Sequence, residues 1–214
     1  MTVVVLTPGD TGFARDLRAA LLDLDVDPVL AEPRTTDRRE LRDAFARAKG
    51  GAVVHVCGDA AATVPAPLGE TGPEEWDRRG ERPLREALAT FQAAHDHFAA
   101  AGGGRLVLVT STAGISGAAS VVPFVAAAEG VRAMAKSAAR QWGERSITVN
   151  AVLVPLALLA PGAAGVTSFL TPPALGAPAT LHDVAAAVRW FTGADSTGIT
   201  GATVVADGGA VMAP

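Results

Sequence analysis

The first 58 residues alternate between short apolar runs, rich in β-branched side chains, and longer segments whose apolar residues recur at helical spacing. Residues 3–6, 28–31 and 52–56 are predicted strands, and residues 13–24 are a predicted helix. Asp37 is a predicted N-cap for a second helix, because its side chain can accept hydrogen bonds from the first free amides. Strands that alternate with helices in this way predict a parallel sheet covered by helices.

The rest of the chain continues the same alternation. The spacing predicts helices at 84–98, 122–143 and 182–191, strands at 106–109, 147–154 and 203–205, and loops at 59–73 and 161–180. Helix 122–143 carries its charges on one narrow stripe, which favours burial on several sides or a subunit interface. Apolar residues make up 49% of the chain, enough for a large core, and residues 1–214 are predicted to form one domain.

Charge and cysteine content exclude several classes of function. A net charge of −4 without a basic run gives nucleic-acid binding no electrostatic support. The apolar stretch 151–166 is short and interrupted by proline and glycine, so no membrane span is predicted. Residues 1–6 are too short for a signal peptide, and the chain has one cysteine, so a cytoplasmic protein without disulfides is expected. The chain contains no tyrosine, which excludes any mechanism with a phenol as proton donor.

Three segments together resemble the short-chain dehydrogenase/reductase family. They are GRLVLVTSTAG at 104–114, GVRAMAKSAARQWGERSITVNAV at 130–152 and ITGATVVADGG at 199–209. The resemblance implies a three-layer, Rossmann-like, doubly wound α/β fold that binds NAD or NADP at the carboxyl ends of its strands. Because this chain is shorter than the family by about one strand-helix unit before His55, we expect six strands instead of seven.

The resemblance also implies four catalytic positions, which are a serine, a tyrosine, a lysine and an asparagine. Ser111 matches the serine. The family spacing places Phe124 at the tyrosine position, Ala128 at the lysine position and Pro83 at the asparagine position. General acid–base catalysis contributes about 10²–10⁴-fold to a rate, so this pattern predicts that normal hydride transfer is lost. The alternative for Ser111 is a structural role, in which the geometry of its loop favours a residue with a small hydroxyl side chain.

The cofactor motif is altered as well. In the family's glycine-rich turn, Pro8 and Ala14 stand where the resemblance expects glycines, and Asp10 adds a negative charge near the expected phosphate. Gly12 is retained, and Glu32 stands where an acidic residue binds the adenine ribose of NAD in the family. Glu32 is equally well explained as a solvated acid at a strand end. We therefore predict no cofactor, or NAD if any is bound.

The crevice at the carboxyl ends of the strands is nevertheless a candidate site. His55, Cys57, Asp59 and Ser111 are expected there, and His55 titrates near neutral pH, so it is a candidate general base. A histidine that hydrogen-bonds a backbone carbonyl is the alternative for His55, and a buried small hydrophobe is the alternative for Cys57. No metal site is predicted.

Three functions remain open. The first is a pseudoenzyme or partner subunit, which forms a homodimer or homotetramer through the helices near 84–100 and 122–143, as the resemblance implies, or pairs with an active paralogue. The second is a cofactor-independent cyclase, dehydratase or isomerase acting on a small apolar carbonyl compound. The third is an NAD-dependent oxidoreductase with an atypical site. The composition, rich in alanine and arginine, is typical of a bacterium with a GC-rich genome.

Overall fold

The computed structural model describes residues 3–31, 35–166 and 171–212. Within these residues a six-stranded, all-parallel sheet has the order β2-β1-β3-β4-β5-β6. Its strands are β1 (Val3–Thr7), β2 (Asp27–Leu30), β3 (Ala52–Val56), β4 (Gly104–Ser111), β5 (Ile147–Val154) and β6 (Thr203–Val205). The predicted three-layer α/β fold with six strands is confirmed.

Helices cover both faces of the sheet. They are α1 (Gly12–Leu22), α2 (Arg38–Arg47), α3 (Pro73–Trp76), α4 (Arg82–Ala101), α5 (Ala113–Ser116), α6 (Val122–Trp142), α7 (Leu156–Leu159) and α8 (Leu181–Thr192). Single 3₁₀ turns lie at Leu68–Glu70, Gly143–Arg145, Pro161–Val166 and Ala194–Ser196, and a π-helical turn spans Asp77–Glu81. None of the helices in the described parts of the chain is both long and apolar enough to cross a membrane.

The apolar residues form two clusters, one on each face of the sheet. Side chains of α1 and α8 meet one set of alternating strand residues, for example Val54 and Val107. Side chains of α2, α4 and α6 meet the other set, for example Val53 and Leu108. Since successive strand residues point to opposite faces, this alternation fixes the face on which every strand side chain lies.

Local sequence accounts for several helix boundaries. The Asp37 carboxylate accepts hydrogen bonds from the amides of Arg39 (2.8 Å) and Glu40 (3.1 Å), which confirms the predicted N-cap. Gly102 ends α4 in the left-handed conformation, with φ +81°. The helical segment before β4 begins earlier than predicted, at Pro73, because a proline at the first helical position forfeits no intrahelical hydrogen bond.

Candidate functional site

A crevice lies where the strand order reverses, at the carboxyl ends of β1 and β3. The sheet runs outward from β1 to β2 in one direction and from β1 to β3 in the other, and ligands of open α/β sheets bind at such a point. The crevice contains a cavity of about 310 Å³. Its lining combines the carboxylates Asp10, Asp16 and Asp59 with an apolar wall of Phe13, Leu158, Leu159 and Pro161.

The backbone of the turn after β1 is largely engaged by the protein itself. The Gly9 amide donates to the Ala31 carbonyl over 2.9 Å, and a Cβ added at Gly9 would lie 2.9 Å from the same oxygen. Thr11 caps α1, because its hydroxyl accepts from the Ala14 amide over 3.0 Å. Gly12 borders the cavity, and a Cβ there would meet no described atom within 4 Å. Fewer amides are therefore left for a ligand than in an uncapped helix N-terminus.

The acidic rim of the cavity is held in place at its β3 side. The Asp59 carboxylate accepts from the Ala62 amide over 2.8 Å, and the Thr63 hydroxyl donates to the Asp59 carbonyl over 3.0 Å. Asp10 and Asp16 lie on the β1 side of the same cavity. A phosphate placed between these carboxylates would meet charges of its own sign, which opposes binding, and the exposure of Asp10 and Asp16 lets solvent screen part of that repulsion.

Ser111 is the last residue of β4 and is fully buried, with 0% of its surface exposed. Its hydroxyl oxygen accepts a hydrogen bond from the Ala113 amide over 3.1 Å. This bond stabilises the turn that leads from β4 into α5. The structure thus gives the hydroxyl of Ser111 a local structural partner.

The residues that the resemblance assigns to the family's tyrosine, lysine and asparagine positions are all buried. Phe124 and Ala128 lie one turn apart on α6, each 0% exposed, and Pro83 lies in the first turn of α4. The Phe124 ring packs directly on Gly58, so closely that a Cβ on that glycine would overlap the ring. Gly58 has φ +105°. A buried aromatic ring therefore packs on Gly58 at the position where the resemblance places a proton donor.

His55 and Ser111 do not face each other. His55 lies on β3, is 1% exposed, and alternates with Val54 and Val56, so it points to the face covered by α2, α4 and α6. Ser111 follows the alternation of Val107 and Val109, which point to the face covered by α1 and α8. The sheet therefore separates these two candidate catalytic side chains. Glu32, the candidate ribose ligand, lies outside the described residues.

Arg79, which the sequence analysis did not identify, holds the loop between β3 and α3 in place through hydrogen bonds. Arg79, in the π-helical turn, is 6% exposed and donates to the Val64 carbonyl over 2.9 Å and to the Glu75 carboxylate over 2.8 Å. A second tie joins the Ala66 amide to the Ser120 carbonyl over 2.7 Å. The spacing of four between Glu75 and Arg79 was a signal for the ion pair, but not for its burial.

The predicted charged stripe on α6 contains a close ion pair. Arg132 and Glu129 hydrogen-bond each other, and this contact raises the pKa of the Arg132 guanidinium. Lys136 and Arg140 are exposed on the same helix. The remaining α6 surface consists mainly of small residues.

Comparisons with known proteins place this fold in a family. Residues 3–211 match a family model described as enoyl-(acyl carrier protein) reductase. The short-chain dehydrogenase/reductase eriH of Hericium erinaceus is 33% identical over 150 residues, which are 67% of this chain and 60% of that protein. The chain belongs to the short-chain dehydrogenase/reductase family.

Other similar proteins have a lower sequence identity to this chain or match a shorter part of it. A diacetyl reductase [(S)-acetoin forming] of Staphylococcus aureus is 33% identical over 56% of this chain and 52% of its own length. The matched part of the chain thus spans about half to 60% of these curated relatives. A solved structure titled ElxO with NADP Bound superposes with a TM-score of 0.77 over 98% of each chain, at 18% identity. That similarity supports the fold alone.

Proposed function

We propose that this chain is a non-redox member of its family, a pseudoenzyme that serves as a subunit or binding partner. The observation that carries the proposal is the buried Phe124 ring on Gly58, at the position where the resemblance places the proton donor. A phenyl ring neither donates nor accepts a proton, and the neighbouring Ala128 carries no charge. The chain holds no tyrosine that could substitute.

The crevice also fits a dinucleotide poorly, and the proposal therefore includes no bound NAD(P). Asp10, Asp16 and Asp59 line the cavity beside the turn after β1, where the resemblance places the pyrophosphate. The Gly9 amide is already hydrogen-bonded to Ala31, and Pro8 has no amide to offer. These features act together against an anionic ligand.

An oxidoreductase with an atypical site is the second candidate. The family membership and the reductase names of the curated relatives favour it, since those names describe redox enzymes. In that case Ser111 would have to polarise a carbonyl without the help of a phenol. Its burial and its bond to the Ala113 amide give no support to that role.

The cofactor-independent enzyme is a weaker candidate. The apolar wall of the crevice suits a small apolar carbonyl compound, and Asp59 could act there as an acid or base. His55 and Ser111 cannot act jointly on one substrate, because the sheet lies between them. The geometry therefore lacks the nucleophile–base pair that such chemistry commonly uses.

The partner surface that we propose consists of α4 and α6. Small residues such as Ala126 and Ala133 are exposed on α6, and Leu88 on α4 is 45% exposed. A surface of this kind allows two helices to approach closely when a second subunit covers it. We propose a homodimer or homotetramer through these helices, or a heteromer with an active paralogue. Sedimentation of the Ala133→Arg variant against the parent protein tests this surface, with a smaller assembly expected.

Calorimetric titration with NADH and NADPH tests the central proposal. No heat and no thermal stabilisation are expected up to about 1 mM, since the free energy of binding would be weaker than about −4 kcal/mol. A variant with Asp10, Asp16 and Asp59 all changed to asparagine removes the repulsion and is the matched comparison. Micromolar binding by the parent protein would contradict the proposal and favour the oxidoreductase.

A further inference from the structure

A second cavity lies at the edge of the sheet opposite the crevice. This groove, of about 570 Å³, lies at the amino ends of β4 and β5. The open groove is lined by residues 101–105, 143, 146–148, 197, 198 and 200, which lie in or next to the turns before β4, β5 and β6. Neither the family's catalytic residues nor the crevice contributes to it. Whatever it binds is therefore independent of the proposed function.

Two polar side chains lie side by side in the groove. Arg105 and Thr148 are register partners on the adjacent parallel strands β4 and β5, so their side chains point to the same face. The Nε atom of Arg105 and the hydroxyl oxygen of Thr148 are both shielded from solvent, and neither has a hydrogen-bond partner within the described ranges. Buried polar atoms of this kind are normally hydrogen-bonded, so the pair calls for an explanation.

The charged side chain that lines the groove is an arginine. Among the described residues that line it, Arg105 alone has a charged side chain, and none of the described carboxylates forms an ion pair with it. Arg79 shows the contrast, because that buried guanidinium is neutralised by Glu75. A guanidinium without a protein counterion in a polar cavity is suited to an oxyanion, which its planar donors bind at two points.

The walls leave room for such a ligand. Gly102, Gly103 and Gly198 line the groove without side chains, and the Thr197 hydroxyl adds a further donor. Helices α4 and α6 end at this edge, where carbonyl dipoles oppose a negative charge. The amides of Gly102 and Gly103 satisfy one of these carbonyls, that of Phe98. The remaining carbonyl dipoles oppose an anion near the helix ends, so the negative charge of the ligand must lie close to Arg105.

We propose that this groove binds a small oxyanion, a phosphate group or a carboxylate, with the Arg105 guanidinium as its main contact and the Thr148 hydroxyl as a second donor. Because Nε of Arg105 and the Thr148 hydroxyl are shielded from solvent without a ligand, the Arg105 side chain turns toward the groove when the ligand binds, and the ligand then supplies the missing acceptor. Phosphate and carboxylate groups both carry the negative oxygen atoms that accept these hydrogen bonds. Titration with each anion separately shows which of the two groups the ligand carries.

The test is a titration followed by amide resonances of an ¹⁵N-labelled sample. Sodium phosphate and sodium malonate are added separately at constant pH, with sodium chloride at matched ionic strength as the reference. Gly102, Gly104 and Gly198 report on the groove, and Gly12 reports on the crevice. We expect saturating shifts at the groove glycines, with a dissociation constant on the order of 1 mM, and no saturation at Gly12.

Two variants and a control decide the assignment. Arg105→Gln is expected to weaken binding about tenfold or more, because a hydrogen bond to a charged group is lost. Arg39→Gln on the exposed surface of α2 changes the net charge equally and is expected to bind as the parent does. If Arg105→Gln fails to fold, Thr148→Val removes the hydroxyl without a change of shape, and weaker binding is again expected.

The outcomes separate clearly. If only phosphate gives saturating shifts, the ligand is a phosphorylated compound. If only malonate does, the ligand is a carboxylate. If both anions do, the groove is a general oxyanion site. If the shifts follow ionic strength without saturating, the proposal is wrong. Equal affinity in the parent protein and in Arg105→Gln or Thr148→Val would overturn it as well.

Discussion

Substitution of Gly58 by alanine is expected to destabilise the protein through two separable effects. The backbone at Gly58 has φ +105°, a region that costs a residue with a Cβ about 1–3 kcal/mol. The new methyl group would also overlap the ring of Phe124, which is 0% exposed, and overpacking of a buried site costs about 1–3 kcal/mol. Together these effects give a loss of about 2–6 kcal/mol in the free energy of unfolding.

A matched glycine isolates the second effect. Gly117 also has a positive φ, +68°, but a Cβ there would meet no described atom within 4 Å. Gly117→Ala should therefore cost only the conformational term, about 1–2 kcal/mol. Phe124→Leu shortens the ring side chain and should relieve part of the overlap in the double variant with Gly58→Ala. We expect a coupling energy of about 1–3 kcal/mol in that pair and none between Phe124→Leu and Gly117→Ala.

Urea denaturation followed by tryptophan fluorescence measures these differences, since the chain has three tryptophans. A loss of 1 kcal/mol corresponds to about 2–4 °C in the melting temperature for a chain of this size, so calorimetry provides a second measurement. If Gly58→Ala and Gly117→Ala were equally destabilising, and if Phe124→Leu were additive with both, the ring would not lie on Gly58. The close packing of Phe124 on Gly58, which supports the proposed loss of the proton donor, would then be contradicted.

Three further predictions concern a helix cap, an acid transition and the altered catalytic positions. Asp37→Ala removes the two hydrogen bonds that cap α2 and should lower the free energy of unfolding by about 1 kcal/mol, measured by urea denaturation. Hydrogen bonds from the amide and hydroxyl of Thr180 lower the pKa of Asp183, so its contribution to stability should be complete above about pH 4 and lost as the pH falls below that value. Asp183→Asn should flatten this part of the pH–stability curve, and an unchanged curve would refute the assignment. The double variant Phe124→Tyr with Ala128→Lys should show no NAD(P)H turnover in an absorbance assay, because the crevice remains acidic; robust turnover would disprove the proposed loss of the cofactor site.

Much of the fold could be predicted from the sequence, because its signals are local. The periodicity of the segments at 3–6, 52–56 and 147–154 depends only on neighbouring residues, and each of these strands was found where it was predicted. The N-cap at Asp37 is likewise a contact between residues two and three apart. The number of six strands could be predicted from chain length and family resemblance.

The candidate site was less predictable, because it depends on contacts between distant segments. His55 and Ser111 are both buried near the carboxyl ends of their strands, but strand alternation turns them to opposite faces. The burial of Arg79 under Val64, and the pairing of Arg105 with Thr148, join residues that no local pattern connects.

The sequence by itself determined which chemistry is absent and which architecture is present. A chain without tyrosine cannot use a phenol, and alternating strands and helices build a parallel sheet whatever the details of packing. Only the tertiary structure decided that Phe124 covers Gly58, that carboxylates line the remaining cavity, and that Arg105 has no counterion among the described residues. The physical reason is that periodicity is set by neighbours along the chain, whereas burial and charge pairing are set by side chains that meet only after the chain has folded.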